Sequence, residues 1–515
     1  MKKYFASLIK NKKQLYVFCP YILVFLITLL VAAYFSRIGV DPHHDGIMLK
    51  PAIDVSRGKI LFKETFNQYG ALTIYLQSLF IKLFGEYLLV IKLLTAFIYS
   101  AIAVLTYHIW TKILPKVLAF GSILIWLTVA PFYVLTFLAW SSTQALLFQL
   151  LTFIFLMLAL KNPSFKKNFL LGICIALTFW SKQNVGAYTL LGIIAISIIH
   201  FKNLKKTFKF LLDNFFGFSA ISLIFISVIV YQGATEEWIK QTFIFTLRWA
   251  ELVASEYPFL TNLFYVSRHP ISLWAILPIF SILILLDKKI KLKKKNYPVI
   301  YLSIFSLFSW LQYHPVACVR HAFWAATPMI GLLIYYLYFQ IIKQNNWRFK
   351  YLFFIGSIIF LFYPDIKFRI QSAKKMIALN SEIVTNESVL KGMKLEPSKA
   401  KHFRDMQAKI KKLQEKNSEQ KLITITPDAL YLLLGKSENY QPMYVSWHTI
   451  GFIYPDFNII KDQYIKDNQP IIISYDFLDI KDYCPLDDSV GYDQTVIEIP
   501  CTMIEELTLE LKPLD

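Results

Sequence analysis

Two carboxylates and two imidazoles crowd into the stretch Asp41-Pro42-His43-His44-Asp45-Gly46, just past the first long apolar run. Ionisable groups this dense beside a membrane span are costly to place, which makes them candidates for function. Asp41 and Asp45 are four apart, so on a helix both fall on one face. Asp41 followed by Pro42 also reads as a helix cap with proline at the first helical position. The two readings agree, because the helix dipole favours an ionised carboxylate there. Such a group can accept a proton from a hydroxyl or ligate a divalent cation. His43 and His44 could add a metal ligand or bind phosphate. Adjacent histidines on a helix point apart, so one ion would not take both; Asp41, Asp45 and His44 form the candidate set for Mg or Mn.

Cations stand in two other places. Lys182 sits between two apolar runs in Ser181-Lys182-Gln183-Asn184-Val185-Gly186. A lone lysine at such a boundary often only snorkels to water. Its polar neighbours, and a glycine that permits close approach, suit an anion pocket better. His314, Arg320 and His321 share a short loop between two spans. Arginine is suited to phosphate because it is bidentate and always charged. A helix start prefers acids, so Arg320 and His321 there need another reason. Glu236, Glu237, Arg248, Glu251, Arg268 and His269 lie on one further segment, interleaved with Trp238, Phe243, Phe245 and Trp249. An interfacial helix explains most of these, and the aromatics could also stack on a sugar ring.

The elements that must position these groups are membrane spans. Of 515 residues, 56% are hydrophobic and only 17% charged, more apolar surface than a soluble chain of this length needs. Runs near the roughly 20 residues of a spanning helix fall at 15–36, 87–110, 117–136, 139–160, 169–180, 185–200, 210–231, 271–286, 297–313, 322–342 and 351–362. The fold class is thus an α-helical polytopic membrane protein of about eleven spans. The basic start MKKYFASLIKNKKQ resembles a signal peptide without a small-residue cleavage site, which reads as an uncleaved first span. A net charge of +20 could suggest nucleic acid. The lysines instead cluster in alternate loops, as at Lys288, Lys289, Lys291, Lys293, Lys294 and Lys295. That is the positive-inside pattern, with the N-terminus cytoplasmic. The opposite, extracytoplasmic face then collects the Asp41 loop, Lys182, the 232–270 segment, the 312–321 loop and the tail.

The first outer loop, 37–85, holds two semi-polar pieces, 46–57 and 70–84. In the first, Met48, Leu49, Ala52, Ile53 and Val55 oppose Lys50, Asp54 and Arg57, as in an amphipathic helix lying on the membrane surface. The chain divides into a membrane domain over 1–365, a helical connector over 366–420, and an α/β domain over 421–515. That last domain has strands near 422–425, 470–474 and 495–499 and a helix start over 427–434. Cys484 and Cys501 could pair in an oxidised tail or stay as thiols.

One acidic and two cationic loops on one face suit acid–base chemistry on a lipid-borne anionic donor. The arrangement resembles the GT-C superfamily of integral-membrane glycosyltransferases, and more closely its bacterial branch related to protein O-mannosyltransferases and aminoarabinose transferases. The matching residues are Asp41-Pro42-His43-His44-Asp45-Gly46, Gly58, Gln68-Tyr69-Gly70-Ala71-Leu72 and Leu83-Phe84-Gly85, then Ser181-Lys182-Gln183-Asn184-Val185-Gly186, then Tyr313-His314-Pro315 with Arg320-His321. The resemblance implies a polyprenyl-phosphate sugar donor and transfer to a hydroxyl of an envelope lipid, glycan or protein at the outer side of the inner membrane. It implies Asp41 as base with Asp45 second, Lys182, Arg320, His321 and His314 at the donor phosphate, and Gln68, Tyr69 and Trp249 on the sugar side. The acids stand four apart where the family often has neighbours, and Gln68-Tyr69-Gly70 replaces the Lys-Pro common in aminoarabinose transferases. A flippase for lipid-linked saccharides is the main alternative and would place polar residues near the midplane in inverted repeats. A polymerase or ligase of O-antigen type, or a non-catalytic scaffold, would leave the acidic loop without a role.

Overall fold

A computed structural model describes residues 12–256, 273–290, 294–313, 319–344, 346–385, 388–416, 418–424, 428–435, 440, 463, 466–467, 470–475 and 496–499. His314, Cys484 and Cys501 lie outside the described residues. The first helix, α1 (Lys12–Ser36), enters the outer loop. There α2 (Pro42–Ser56) and α3 (Ala71–Phe84) follow, before α4 (Leu88–Trp110), α5 (Lys116–Thr128), α6 (Ser141–Lys161), α7 (Phe165–Ser181), α8 (Gln183–Phe201) and α9 (Leu204–Tyr231). A short stretch, Thr235–Ile239, widens through a π turn at Lys240–Ile244 into α10 (Phe245–Glu256). Then come α11 (Leu273–Leu286), α12 (Tyr297–Trp310), α13 (Val319–Leu337) and α14 (Lys350–Leu379).

Among the described residues, seven helices are long and apolar enough to cross a membrane: α1, α4, α6, α8, α9, α13 with its extension to Lys343, and α14. The chain is a multi-pass membrane protein. The other four expected spans are also helices but shorter, with 13 residues in α5, 17 in α7 and 14 in each of α11 and α12. At 1.5 Å per residue, a 13-residue helix covers only about 20 Å, so α5 ends early. A buried 3₁₀ turn, Pro131–Tyr133, follows it. Arg369 of α14 donates to the Ala130 carbonyl there at 2.7 Å, which satisfies irregular backbone inside protein. Outward faces are apolar, with Phe208, Phe215 and Leu223 on α9 and Leu352, Ile359 and Phe360 on α14 all exposed.

The tail is packed on the outer loop. After α14, β1 (Glu382–Ile383) pairs antiparallel with β2 (Lys394–Leu395). Lys394 then bridges to the loop, its N–H donating to the Arg37 carbonyl at 2.6 Å and its carbonyl accepting from Gly39 at 2.9 Å. Helix α15 (Pro397–Lys416) leads to β3 (Leu422–Thr424), β4 (Ile471–Tyr475) and β5 (Val496–Ile499), a parallel sheet in the order β3-β4-β5. All three strands fall where the sequence places them, while the expected helix start is a 3₁₀ helix, Ala429–Leu433. That 3₁₀ helix lies against α2 so closely that a Cβ at Gly46 would stand 2.3 Å from the Leu430 nitrogen.

This contact changes the reading of α2. Its polar side does not face water, because Lys50 and Asp54 are 0% and 1% exposed. Lys50 donates to Asp54 Oδ2 at 2.7 Å, Thr65 to the same oxygen at 2.6 Å, and the Tyr440 hydroxyl to Oδ1 at 2.6 Å. The helix is held between membrane domain and tail instead of lying on a bilayer surface.

Candidate active site

The chemistry-bearing end of α2 is its first turn. Asp41 is the cap, with extended backbone, and its Oδ1 accepts from the His44 backbone N–H at 2.9 Å. Its Oδ2 lies 2.7 Å from His44 Nδ1. An ionised carboxylate only accepts, so Nδ1 carries the hydrogen of that bond and Nε2 is the other ring nitrogen. Arg320, from the first turn of α13, brings Nη2 to 3.9 Å from the same Oδ2. Burial pushes the Asp41 carboxyl upward, but the charge and hydrogen bond of His44, with Arg320 and His43, outweigh it. Asp41 is held well below the usual carboxylate range.

Asp45 faces inward. It is 1% exposed, and its Oδ2 accepts from the Asp41 backbone N–H at 3.0 Å and pairs with Lys92 at 2.8 Å. Lys92, fully buried in the second turn of α4, also donates to the Gly39 carbonyl at 3.2 Å. Burial pushes Asp45 up to about 6 against the pull of Lys92, and the Asp41 charge adds to the rise. Burial at that pair closes Asp45 off from a substrate hydroxyl, so the second candidate base sits where a carboxylate fixes the loop.

Lys182 is a one-residue joint between α7 and α8, with extended backbone at φ −154° and ψ 116°. It is not snorkelling to water: it is 8% exposed and its Nζ donates to Ser142 Oγ at 2.7 Å. The Tyr69 ring lies under it, 5.6 Å from Nζ to centroid. Aromatic contacts join this lysine to the acidic turn. Tyr69 meets Trp140 edge-on at 5.4 Å, and Trp140 meets His44 at 5.3 Å. The approach is close, because a Cβ at Gly70 would stand 1.9 Å from the Trp180 carbonyl oxygen.

The three loops singled out from sequence are thus brought together: Asp41, His43 and His44 with Arg320 on one side, and Tyr69 with Lys182 on the other. His43 packs on His44 at 4.7 Å, and Gln68 is half-buried beside Tyr69. His321 turns its ring toward Trp324 at 5.8 Å. Trp249 is on α10, whose neighbour Phe245 packs on Phe66 of the outer loop at 5.4 Å, and Gln241 bonds the Asn67 N–H and the Phe62 carbonyl. Sequence reasoning passed over Lys92, Trp140 and Ser142. Lys92 had a signal, a lone lysine inside the apolar run 88–94. Trp140 and Ser142 had only a polar start to a span.

The candidate metal ligands do not converge. Among the described residues, no group of three or more His, Cys, Asp and Glu could hold an ion. Asp41 is turned to His44 and Arg320, and Asp45 to Lys92, so basic side chains of the protein already occupy both carboxylates. These residues do not fit a shared divalent cation.

No protein-family model matches the chain, and no curated protein matches it by sequence. Solved structures do. The archaeal oligosaccharyltransferase AglB from Archaeoglobus fulgidus, in complex with an inhibitory peptide and a dolichol-phosphate, aligns over 82% of this chain and 64% of its own, at 14% identity and TM-score 0.50. The same enzyme tethered to an acceptor peptide aligns over the same shares at 12% identity and TM-score 0.50. ArnT from Cupriavidus metallidurans, bound to undecaprenyl phosphate, aligns over 95% of this chain and 91% of its own, at 10% identity and TM-score 0.42. The chain spans less than two thirds of the archaeal enzyme, and the likeness to that enzyme is one of fold.

Proposed function

On a chain with the GT-C fold, we propose a glycosyltransferase that moves a sugar from a polyprenyl-phosphate donor to a hydroxyl at the outer face of the membrane. The observation that carries this reading is the meeting of Asp41 and His44 with Arg320 at one end of the bundle, joined through Trp140 and Tyr69 to Lys182. It is an acid–base pair set between two cations, at the boundary where a lipid phosphate presents its headgroup. The dolichol-phosphate held by the archaeal structure supports a lipid-linked donor of this kind. The tail packs on the Asp41 loop, which supports one common extracytoplasmic side for both. With the basic loops on the other side, the N-terminus is cytoplasmic.

In this mechanism the acceptor hydroxyl attacks the anomeric carbon of the donor sugar. The new C–O bond forms as the bond to the donor phosphate breaks, and the polyprenyl phosphate leaves with the bonding electrons. Arg320, Lys182 and His321 hold that phosphate and its developing charge. Asp41 takes the hydroxyl proton. A carboxylate held so far down is a weak base toward a free hydroxyl, so it takes the proton late, once the forming C–O bond has made that oxygen acidic, while the 2.7 Å bond from His44 Nδ1–H orients the carboxylate. Asp45 and Lys92 position the turn. Polar residues gathered at one face favour this reading over a flippase, which needs them near the midplane.

The test is sugar transfer from polyprenyl-phosphate sugars to envelope acceptors by purified protein. Asp41→Asn should lower the rate by about 10²–10⁴-fold, the usual contribution of a general base. Normal transfer by that variant would remove Asp41 as base. Unchanged donor binding in both Lys182→Ala and Arg320→Ala would remove the phosphate pocket.

A further inference from the structure

A second site lies at the far end of α2. A cavity of ≈ 270 Å³ opens at the seam between the outer loop and the tail, lined by Ile53, Arg57, Glu86, Tyr87, Val389 and Tyr440 among others. None of these residues belongs to the Asp41 cluster. The volume is near the lower end of small-ligand pockets, which start at roughly 300 Å³. Arg57 and Glu86 face each other across a bidentate pair, with Nε to Oε1 at 2.7 Å and Nη2 to Oε2 at 2.6 Å. Their charges cancel, so the cavity favours a neutral occupant. Arg57 Nη1 also donates to the Tyr440 hydroxyl at 3.4 Å, and the Glu86 carboxylate oxygens keep lone pairs that accept from a hydroxyl-rich ring. Glu86 keeps a side-chain exposure of 37%.

The walls add aromatic surface. Lys50 lies over the Tyr440 ring at 5.2 Å and Lys391 over Tyr87 at 5.8 Å. Each cation caps its ring, and both rings line the cavity. Tyr440 is itself fixed, donating its hydroxyl to Asp54 at 2.6 Å. An aromatic surface beside a planar ion pair is suited to the mixed C–H and O–H character of a sugar.

Position gives the second half of the argument. Arg57 follows Asp41 along one helix, and at 1.5 Å per residue the seam is on the order of 20 Å from the acidic turn. One sugar could not occupy both places, whereas a chain of sugars could.

We propose that this seam is a binding subsite for a neutral saccharide unit of the acceptor, distant from the hydroxyl that reacts, so that the acceptor is an oligosaccharide or longer glycan. This rests on the glycosyltransferase reading above. The occupant is recognised by the Arg57–Glu86 edge and the tyrosine walls, and the tail supplies one side of the site.

Saturation-transfer NMR on the full detergent-solubilised chain tests it. The probes are mono- and tetrasaccharides of glucose, galactose, mannose, rhamnose and N-acetylglucosamine. At least one tetrasaccharide should bind the unaltered protein. Its affinity should drop at least tenfold in Glu86→Gln and in Arg57→Gln. Val389→Phe fills the cavity without touching the ion pair and should give the same loss, which guards against misfolding of the Arg57 variant. Binding by no probe, or binding unchanged in the monodisperse Glu86→Gln and Val389→Phe proteins, overturns the subsite. Because binding is read without turnover, that result leaves the transfer reaction standing. Loss of transfer chemistry in turn leaves the seam measurable.

Discussion

Helix α2 carries a carboxylate cluster at each end, and the two are built differently. At its C-terminal end both Asp54 oxygens are fully engaged, by Lys50 and Thr65 on one and Tyr440 on the other. Burial pulls Lys50 down, with Asp54 opposing. It also pushes the Tyr440 phenol well up, so Tyr440 stays protonated and donates. Every group there has a fixed partner, as a structural clamp requires. At the N-terminal end the order is looser. Asp45 Oδ1 is buried with no hydrogen bond, and the Arg320 guanidinium stands 3.9 Å from Asp41, beyond hydrogen-bond reach. Asp41 and Asp45 sit one turn apart, yet one is held low and the other pushed up. The difference teaches that charge density does not distinguish the two ends of this helix; how completely each carboxylate is satisfied does.

The largest stability effect should come from the clamp. Lys50→Met leaves the Asp54 charge buried with only neutral donors, and breaking a buried pair in this way costs about 3–5 kcal/mol. Thermal unfolding of the detergent-solubilised protein measures it. The same measurement on Asp41→Asn should show a smaller loss, since asparagine keeps the helix cap and gives up only the charge that His44 and Arg320 hold ionised. If both variants lost equal stability, the contrast between the two ends would be gone.

Next in size is a pH effect confined to the N-terminal end. Asp45, raised by burial, takes up a proton as pH falls through about 6, and its attraction to Lys92 is then lost. The rate of transfer should show an acid limb near pH 6 that is absent from Asp45→Asn. Asp41 stays ionised across that window, because its shift is downward. A limb that persists in Asp45→Asn assigns the titration to another group.

The smallest effect expected is that of Tyr440→Phe, which removes one of the three donors to Asp54. It should cost about 1–3 kcal/mol of stability, since a buried acceptor loses its partner. The transfer rate per folded molecule should hold, because the Asp41 turn keeps its own contacts. A rate loss larger than the stability loss would mean that the clamp reaches the acidic turn along the helix.

Much of the fold was legible because a bilayer enforces it. Apolar runs must be helices, so all eleven expected spans appear as helices, and the tail strands Leu422–Thr424, Ile471–Tyr475 and Val496–Ile499 show as short β-rich runs between polar segments. The site was legible in part. Asp41, Lys182 and Arg320 announced themselves as ionisable groups at membrane boundaries. Lys50 and Asp54 misled, because a polar stripe on an amphipathic helix looks the same whether it meets water or a docked domain.

By itself, the sequence determined that this chain threads a membrane many times, that lysine-rich loops recur between its apolar runs, and that Asp41 caps a helix. Those properties follow from local hydropathy, loop charge and capping chemistry, each set within a few residues. Only the tertiary structure decided that Asp45 belongs to Lys92, that Asp41 belongs to His44 and Arg320, and that Asp54 is locked by a tyrosine 386 residues further on. Partner choice depends on which elements pack side by side, and contacts between distant parts of a chain leave no local pattern to read.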